Sequence, residues 1–568
     1  MSSEPLLSNG DNHYGGTLTT ISSTGYRAMS EEETDLIIEE TGINVLDSLL
    51  EPQEGESDEV RWLREVRLKH IDLSWYQKPS ILLICAMLSL ICISDMMIRT
   101  PMISLTISKV CEGINYGDED ISREAKIANC DKQEVQRITS EITSLTIIIS
   151  GILNTLLSGK WGALSDRIGR VRVFAFVGII KLIGTIIQIY TVLPSTPYSK
   201  TLLIAPEVVQ SLGGGIFAIV SNSNSYITDV AEPEYRTMSI SLMMSTLYGS
   251  MGLGPILSSI IVKFSGGNYY LPVYMSLCLL VLFIVLSCTV MAEPRHSEAM
   301  EKAKVAYEEK NKKIEEKLDS IIGETKGLAK RIMKYVLLTS FYIVDIFTPL
   351  KSLWIKPREH DNSLKPRYTV ILLIAIDILF VCSTVAIMPS VVLYATFKFE
   401  WTAVELGYFI SISGIGRAII LLALAPLAIH LLKKRYKTST SSIDQIDIIN
   451  IRTSLITVTL SIFFLLWLKD YYISMVLFAI CQALSAVSSP TLVGTIIKYC
   501  PKANVGECFG GMALISSFIM LSVSPLLLQI YGYTVSTKPE LFMYIPLMCG
   551  CLSVILTFAL TPTEDIQD

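Results

Sequence analysis

Long apolar runs alternate with short polar breaks along almost the whole chain, and the runs share one length. Twelve of them lie at 80–108, 138–158, 173–193, 201–225, 237–263, 271–291, 368–394, 403–429, 451–469, 472–497, 508–531 and 541–561. Each is close to the about 20 apolar residues that cross a bilayer as a helix. Six precede a long polar gap and six follow it, a layout of two pseudo-repeats. The pattern predicts an all-α polytopic membrane protein of twelve transmembrane helices in two six-helix pseudo-repeats. The expected divisions are a tail and juxtamembrane segment (1–79), a first bundle (80–291), a linker (292–367), a second bundle (368–561) and a short tail (562–568). One further run, Ile332 to Leu350, is interrupted by Lys334 and Asp345. Its unbroken core is too short to span comfortably, so it reads as an interfacial helix within the linker.

Composition agrees: 51% of residues are apolar and only 18% charged, against roughly 25% charged in soluble domains. A soluble enzyme is excluded, and no nucleophile–base pair points to catalysis. The net charge of −6 is uneven. Residues 1–59 carry fourteen acidic side chains and one basic one, Arg27, so this tail is expected to be disordered. It shows no cleavable leader, and the first span would itself direct insertion. Arg61, Arg64, Arg67 and Lys69 follow, with Trp62 and Trp75 as interfacial anchors. Short loops after spans two, eight and ten hold Lys160, Arg167, Arg170 and Arg172; Lys433, Lys434, Arg435 and Lys437; and Lys498 and Lys502. Basic loops stay cytosolic, which predicts that both termini and the linker face the cytosol. Ser297 to Lys334 alternates Glu and Lys at helical spacing, as in a solvated helix.

Twelve cysteines include no Cys-x-x-Cys pair, so neither a metal site nor a cofactor is expected. Cys111 and Cys130 share the polar segment between spans one and two. In an oxidising lumen they can pair; otherwise they remain thiols.

Charges inside the spans are candidates for proton or substrate handling, with structural ion pairing as the alternative. Span one carries Asp95 and Arg99, four residues apart on one helix face. Span three has Lys181, span seven Asp377 and span eight Arg417. Span four has Glu207 after Pro206, then Gln210 and Gly213-Gly214-Gly215. No span has a central histidine, which excludes a histidine relay.

The segment between spans two and three reads Gly162-Ala163-Leu164-Ser165-Asp166-Arg167-Ile168-Gly169-Arg170-Val171-Arg172, expected as a tight charged turn at one membrane face. Its pattern Gly-x-x-x-Asp-Arg-x-Gly-Arg-x-Arg resembles the signature loop of the major facilitator superfamily. Two further stretches resemble that family. Glu207-x-x-Gln210-x-x-Gly213 stands where the family has Arg-x-x-Gln-Gly, with Glu207 at the arginine position. Gly249-Ser250-Met251-Gly252-Leu253-Gly254-Pro255 resembles the glycine-rich motif of span five, where small residues and a proline give close packing and a kink. The cysteine-containing first loop and Asp229-Val230 ahead of Arg236-Thr237 look like the tetracycline-resistance and proton-coupled folate transporter branch. Leu242-Met243-Met244-Ser245 lacks that branch's span-five acid, which argues against folate. Pro349-Leu350-Lys351-Ser352-Leu353-Trp354 is similar to fungal members.

The resemblance implies a monomeric carrier in membrane lipid that alternately exposes a midplane site to a small organic solute, with protons as the default coupling ion. Gly162, Asp166, Arg167, Gly169, Arg170 and Arg172 would latch the cytosolic side. No nucleotide-binding loop occurs, and nothing suggests nucleic acid. The tail contains Glu4-Pro5-Leu6-Leu7 and Glu32-x-x-x-Leu36-Ile37 as candidate sorting elements for adaptors, and the second fits the acidic dileucine pattern. They favour a vacuolar or lysosomal membrane over the plasma membrane. The alternatives are a plasma-membrane multidrug–proton antiporter and a non-transporting receptor or scaffold on a carrier fold.

Overall fold

A computed structural model of the chain describes residues 58–114, 130–231, 236–322, 364–436, 442–499 and 505–561, less 71, 73, 75 and 76, together with 347, 350, 353 and 354. The sorting motifs at Glu4, Leu6, Leu7, Glu32, Leu36 and Ile37 lie outside these residues, as does nearly all of the expected interfacial helix.

Among the described residues, eleven helices are long and apolar enough to cross a membrane: Ile81–Ile114, Lys132–Ile168, Arg170–Val192, Lys200–Val230, Leu242–Phe264, Tyr270–Thr289, Lys365–Lys398, Ala403–Leu424, Gln445–Trp467, Ile473–Ile496 and Leu514–Thr534. A shorter apolar helix, Leu541–Thr557, completes the order of the twelve runs. They are called spans one to twelve below. Two helices lie outside them, a juxtamembrane helix Asp58–Lys69 and a linker helix Ser297–Ile322.

Polar residues start several spans where backbone N–H groups need acceptors. The Asp131 carboxylate accepts from the Gln133 N–H, and Thr402 with Glu405 forms a reciprocal cap on span eight. Asp444 and Asp447 cap span nine in the same way.

Four spans are irregular. Span four breaks between Ser211 and Gly215, where Gly214 and Gly215 take φ of 76° and 60°. Span seven is interrupted over 385–387, span eight has a π-helical turn Ile420–Leu424, and span ten has a 3₁₀ turn Ser485–Val487. The last three share a cause. Pro389, Pro426 and Pro490 stand four residues after Val385, Leu422 and Ala486, and a proline neither donates to the carbonyl four residues back nor leaves it room.

Spans one to six pack around a core that includes Ile84, Ile91, Phe174, Tyr226 and Phe283. Spans seven to twelve enclose two further clusters, around Tyr394 and Phe542 and around Leu373 and Val458. The halves meet along two seams, span five on span eight and span two on span eleven. Cys111 and Cys130 form a disulfide, with Cα atoms 5.8 Å apart, and mark one face. The charged segment around Gly169 marks the other, basic face. Polar contacts between the halves gather toward the disulfide face. Lys132 pairs with Glu400 at 2.5 Å and Gln136 Nε2 donates to Thr396 Oγ1 at 3.0 Å. Tyr531 donates to Gln136 Oε1 at 3.3 Å, and Ser259 to the Val404 carbonyl at 3.0 Å. These contacts between the halves all lie on the side of the disulfide rather than at the elbow around Gly169.

Span two corrects the sequence reading. The expected loop at 162–172 is helical through Ile168, and the next helix starts at Arg170. The turn is Gly169 alone, at φ 104°, its N–H donating to the Ser165 carbonyl. Glycine takes that backbone conformation without a Cβ clash. Across the turn, Arg170 at the start of the next helix pairs with Asp166 in the last turn of the first, at 2.7 Å.

Candidate functional site

The elbow at Gly169 gathers charge from four elements. Arg170, only 3% exposed, bonds Asp166 at 2.7 Å and Asp229 at 2.8 Å. Its Nη1 donates to Ser165 Oγ at 2.6 Å, and its carbonyl accepts from Asn222. Arg295 reaches the same two carboxylates, Asp229 at 3.3 Å and Asp166 at 3.4 Å. Glu293 accepts from the backbone N–H groups of Arg170 and Val171 at 2.8 and 3.0 Å, capping span three. Burial pushes the Glu293 carboxyl up, and the N–H donors pull it back toward ionisation. A Cβ at Gly169 would sit 2.5 Å from Glu293 Oε2, a second reason for glycine. Arg167 stacks on Tyr307 of the linker helix, 3.6 Å from the ring centre. Gly162 meets Ser221 at ordinary contact distance, so its backbone is not special, and Arg172 is exposed.

Glu293 and Arg295 were missed by sequence reading. Their only signal was position, in the first polar turn after span six on the face shared with the elbow. The juxtamembrane helix braces this corner. Arg61 pairs with Glu298 at 2.9 Å, Trp62 stacks on His296, and His296 lies 2.8 Å from Glu65. A cavity of 290 Å³ remains between Trp62, Val66, Arg170, Asp229, Arg295 and His296.

At mid-depth in the first half, three candidates from two spans come together. Asp95 takes Lys181 at 2.5 Å and Arg99 at 3.3 Å. Arg99 also feels the Glu207 carboxylate of span four. Half of the Arg99 side chain stays exposed, so it remains within reach of a solute. Gln210 presses on Gly184 and donates to Gln188 at 3.3 Å, tying span four to span three beside the glycine break.

The second half is different. Asp377 is 4% exposed and forms no ion pair among the described residues. The Arg417 Nε is buried without an acceptor, and no carboxylate lies near it among the described residues. The structure does not bring these two together: neither feels the other's charge.

The glycines of span five divide by role. A Cβ at Gly252 would sit 2.6 Å from the Ile415 N atom of span eight, and one at Gly254 2.7 Å from Met96 Cβ of span one. Gly249 has open space around it and is not a packing residue, contrary to its place in the motif. Pro255 lies inside the helix, and its carbonyl accepts from Ser259.

The sequence profile of the Major Facilitator Superfamily matches residues 85–525. A Saccharomyces cerevisiae membrane protein, YJL163C, is 39% identical over 551 residues, covering 94% of this chain and 97% of that one. The MFS-type transporter avaJ of Aspergillus versicolor is 21% identical over 82% of this chain and 86% of its own length. Among solved structures, a peptide transporter crystallised with sulfate superposes with a TM-score of 0.52 at 16% identity, covering 84% of this chain and 94% of that chain. At that identity the likeness concerns the fold.

Proposed function

From the premise that this chain belongs to the major facilitator superfamily, we propose that it is a secondary carrier of a small organic solute, driven by protons and working by alternating access. The observation that carries the reading is the asymmetry of the seam between the halves. Polar contacts across it cluster at the disulfide face, while the charged elbow at the basic face bonds only within the first half and the start of the linker. A carrier caught with one gate shut and the other released has this arrangement. In the opposite state, Asp166 and Arg170 exchange these partners for ones on the second half. The basic face is cytosolic by its Lys and Arg content, so the cleft faces the cytosol.

The proton is assigned to Asp377. Asp95 is held by two cations, and protonating it would strand both. A buried carboxyl with no counter-ion tolerates a proton far better. The acidic dileucine pattern at Glu32, Leu36 and Ile37 supports a vacuolar or lysosomal membrane.

The direct test is metabolite profiling of vacuoles isolated from cells with and without the protein, followed by uptake of the changed solute into proteoliposomes. A solute whose vacuolar level changes, and whose uptake follows an imposed pH gradient in wild type but not in Asp377→Asn, supports the assignment. Uptake indifferent to the gradient removes proton coupling. An unchanged vacuole with altered drug sensitivity of the cell would favour plasma-membrane drug antiport instead.

A further inference from the structure

We propose that Arg417 binds an oxyanion of the transported solute, so that the solute is a small organic anion; this rests on the carrier reading above. The position is set by a helix crossing. Spans five and eight touch at Gly252 and Gly414, where a Cβ on Gly414 would lie 2.8 Å from Gly252 Cα. Toward the disulfide face the two spans stay together, through Ser259 and the Val404 carbonyl. Toward the basic face Arg417 comes three residues after Gly414, and Tyr248 four residues before Gly252. Each is about one helical turn, roughly 5 Å, past the crossing. Arg417 and Tyr248 therefore sit just past the crossing on its basic-face side, where on the carrier reading the cleft between the halves opens.

The backbone around Arg417 is built irregularly. The π-helical turn Ile420–Leu424 follows it and packs against the 3₁₀ turn Ser485–Val487 of span ten. Gly416 lies against Ala483 just before that turn, where a Cβ would come within 2.8 Å. Widened turns at membrane depth are tolerated where they line a cavity, and π-helical turns occur often at functional sites.

The side chain itself lacks what its burial demands. No nitrogen of Arg417 donates to a protein acceptor among the described residues, and Nε is buried. Among the described residues, the titratable neighbour acting on it is Tyr248. Ser488, directly after the 3₁₀ turn, also has a buried hydroxyl without a partner. Guanidinium does not escape by losing its proton, and an unpaired charge at this depth is costly. In the first half the same cost is met by Asp95. Here the counter-ion must arrive from outside. A guanidinium fork fits a carboxylate, phosphate or sulfonate through two parallel hydrogen bonds. The Tyr248 hydroxyl, the neighbour that acts on Arg417, is available for a second polar group.

The test uses the full chain purified in detergent. Thermal unfolding is followed with small carboxylates, phosphate monoesters and sulfonates, each beside an uncharged amide or ester and a cationic amine of matched size. The expected result is a rise in Tm with one oxyanion class only. Arg417→Gln abolishes the rise without lowering the ligand-free Tm, and Arg417→Lys retains part of it. Tyr248→Phe weakens the same anion about tenfold, as for one hydrogen bond to a charged group, and serves where Arg417→Gln fails to fold. Stabilisation by neutral or cationic compounds alone, no stabilisation by any oxyanion, or a full anion response in Arg417→Gln would overturn the proposal. Counterflow in proteoliposomes separates the two readings. A neutral solute that is carried sinks the anion site and spares the carrier. An anion that binds through Arg417 but is not carried sinks the carrier and spares the site.

Discussion

The two halves of the molecule solve the same electrostatic problem in opposite ways. In the first half Asp95, Arg99, Lys181 and Glu207 draw on spans one, three and four to neutralise one another. In the second half Asp377 and Arg417 stand apart, each buried or half-buried without a counter-ion among the described residues. A paired cluster holds helices in register and resists change of protonation. A lone buried group is costly alone, and we propose that a proton completes one and a solute the other. The first half is thus suited to be scaffold and the second to be sensor.

Substitutions can break this contrast. The largest effect is expected from Arg170→Ala, which removes the buried guanidinium and leaves Asp166 and Asp229 to Arg295 alone, at 3.4 and 3.3 Å. Removing one partner of a buried pair costs about 3–5 kcal/mol, so folded yield and Tm in detergent should collapse. Asp95→Asn should come next, because it strands Lys181 and exposes Arg99 to no acid except Glu207. Its Tm should fall clearly, and Lys181→Met added to it should recover much of the loss. An unchanged Tm in Asp95→Asn would remove the scaffold role. Gly252→Leu should follow, since the side chain would enter the backbone of span eight. Crosslinking between cysteines placed at Val404 and Ser259 should drop sharply while the helix content in circular dichroism stays constant. Asp377→Asn should leave Tm close to that of wild type, because no ion-pair partner is lost among the described residues, yet uncouple uptake from the pH gradient. A large destabilisation there would mean that Asp377 has a structural partner. Gly249→Ala should change neither stability nor transport, sharpening the division between Gly249 and Gly252.

Much of this was legible in the sequence because lipid permits so few solutions. The length of each apolar run marked its span, and the four-residue spacing of Asp95 with Arg99 announced a pair within a helix. What spacing could not supply was the partner from another helix. Lys181 and Asp95 are 86 residues apart, and Arg295 meets Asp166 across a change of element. The breaks in spans seven, eight and ten escaped for another reason. Hydropathy is blind to backbone, and Pro389, Pro426 and Pro490 sit in stretches as apolar as any other. Reading each proline four residues upstream would have marked these three positions, together with Pro101, Pro255 and Pro525, through which the helices continue. Gly249 shows the reverse error, a motif position whose neighbour never arrives.

On the proposed alternating-access reading, the contact of Gly252 with Gly414 serves as a fulcrum. With no side chain between the two backbones, the helices can rotate there without unlocking interdigitated residues. From Gly252 to Arg236, the start of that helix, runs roughly 24 Å of helix. A tilt of about ten degrees at the fulcrum moves the far end by roughly 4 Å at that length. Swapping either glycine for a side chain with volume would shorten the swing before it altered any charge. The gear ratio of the machine is written in two missing methyl groups.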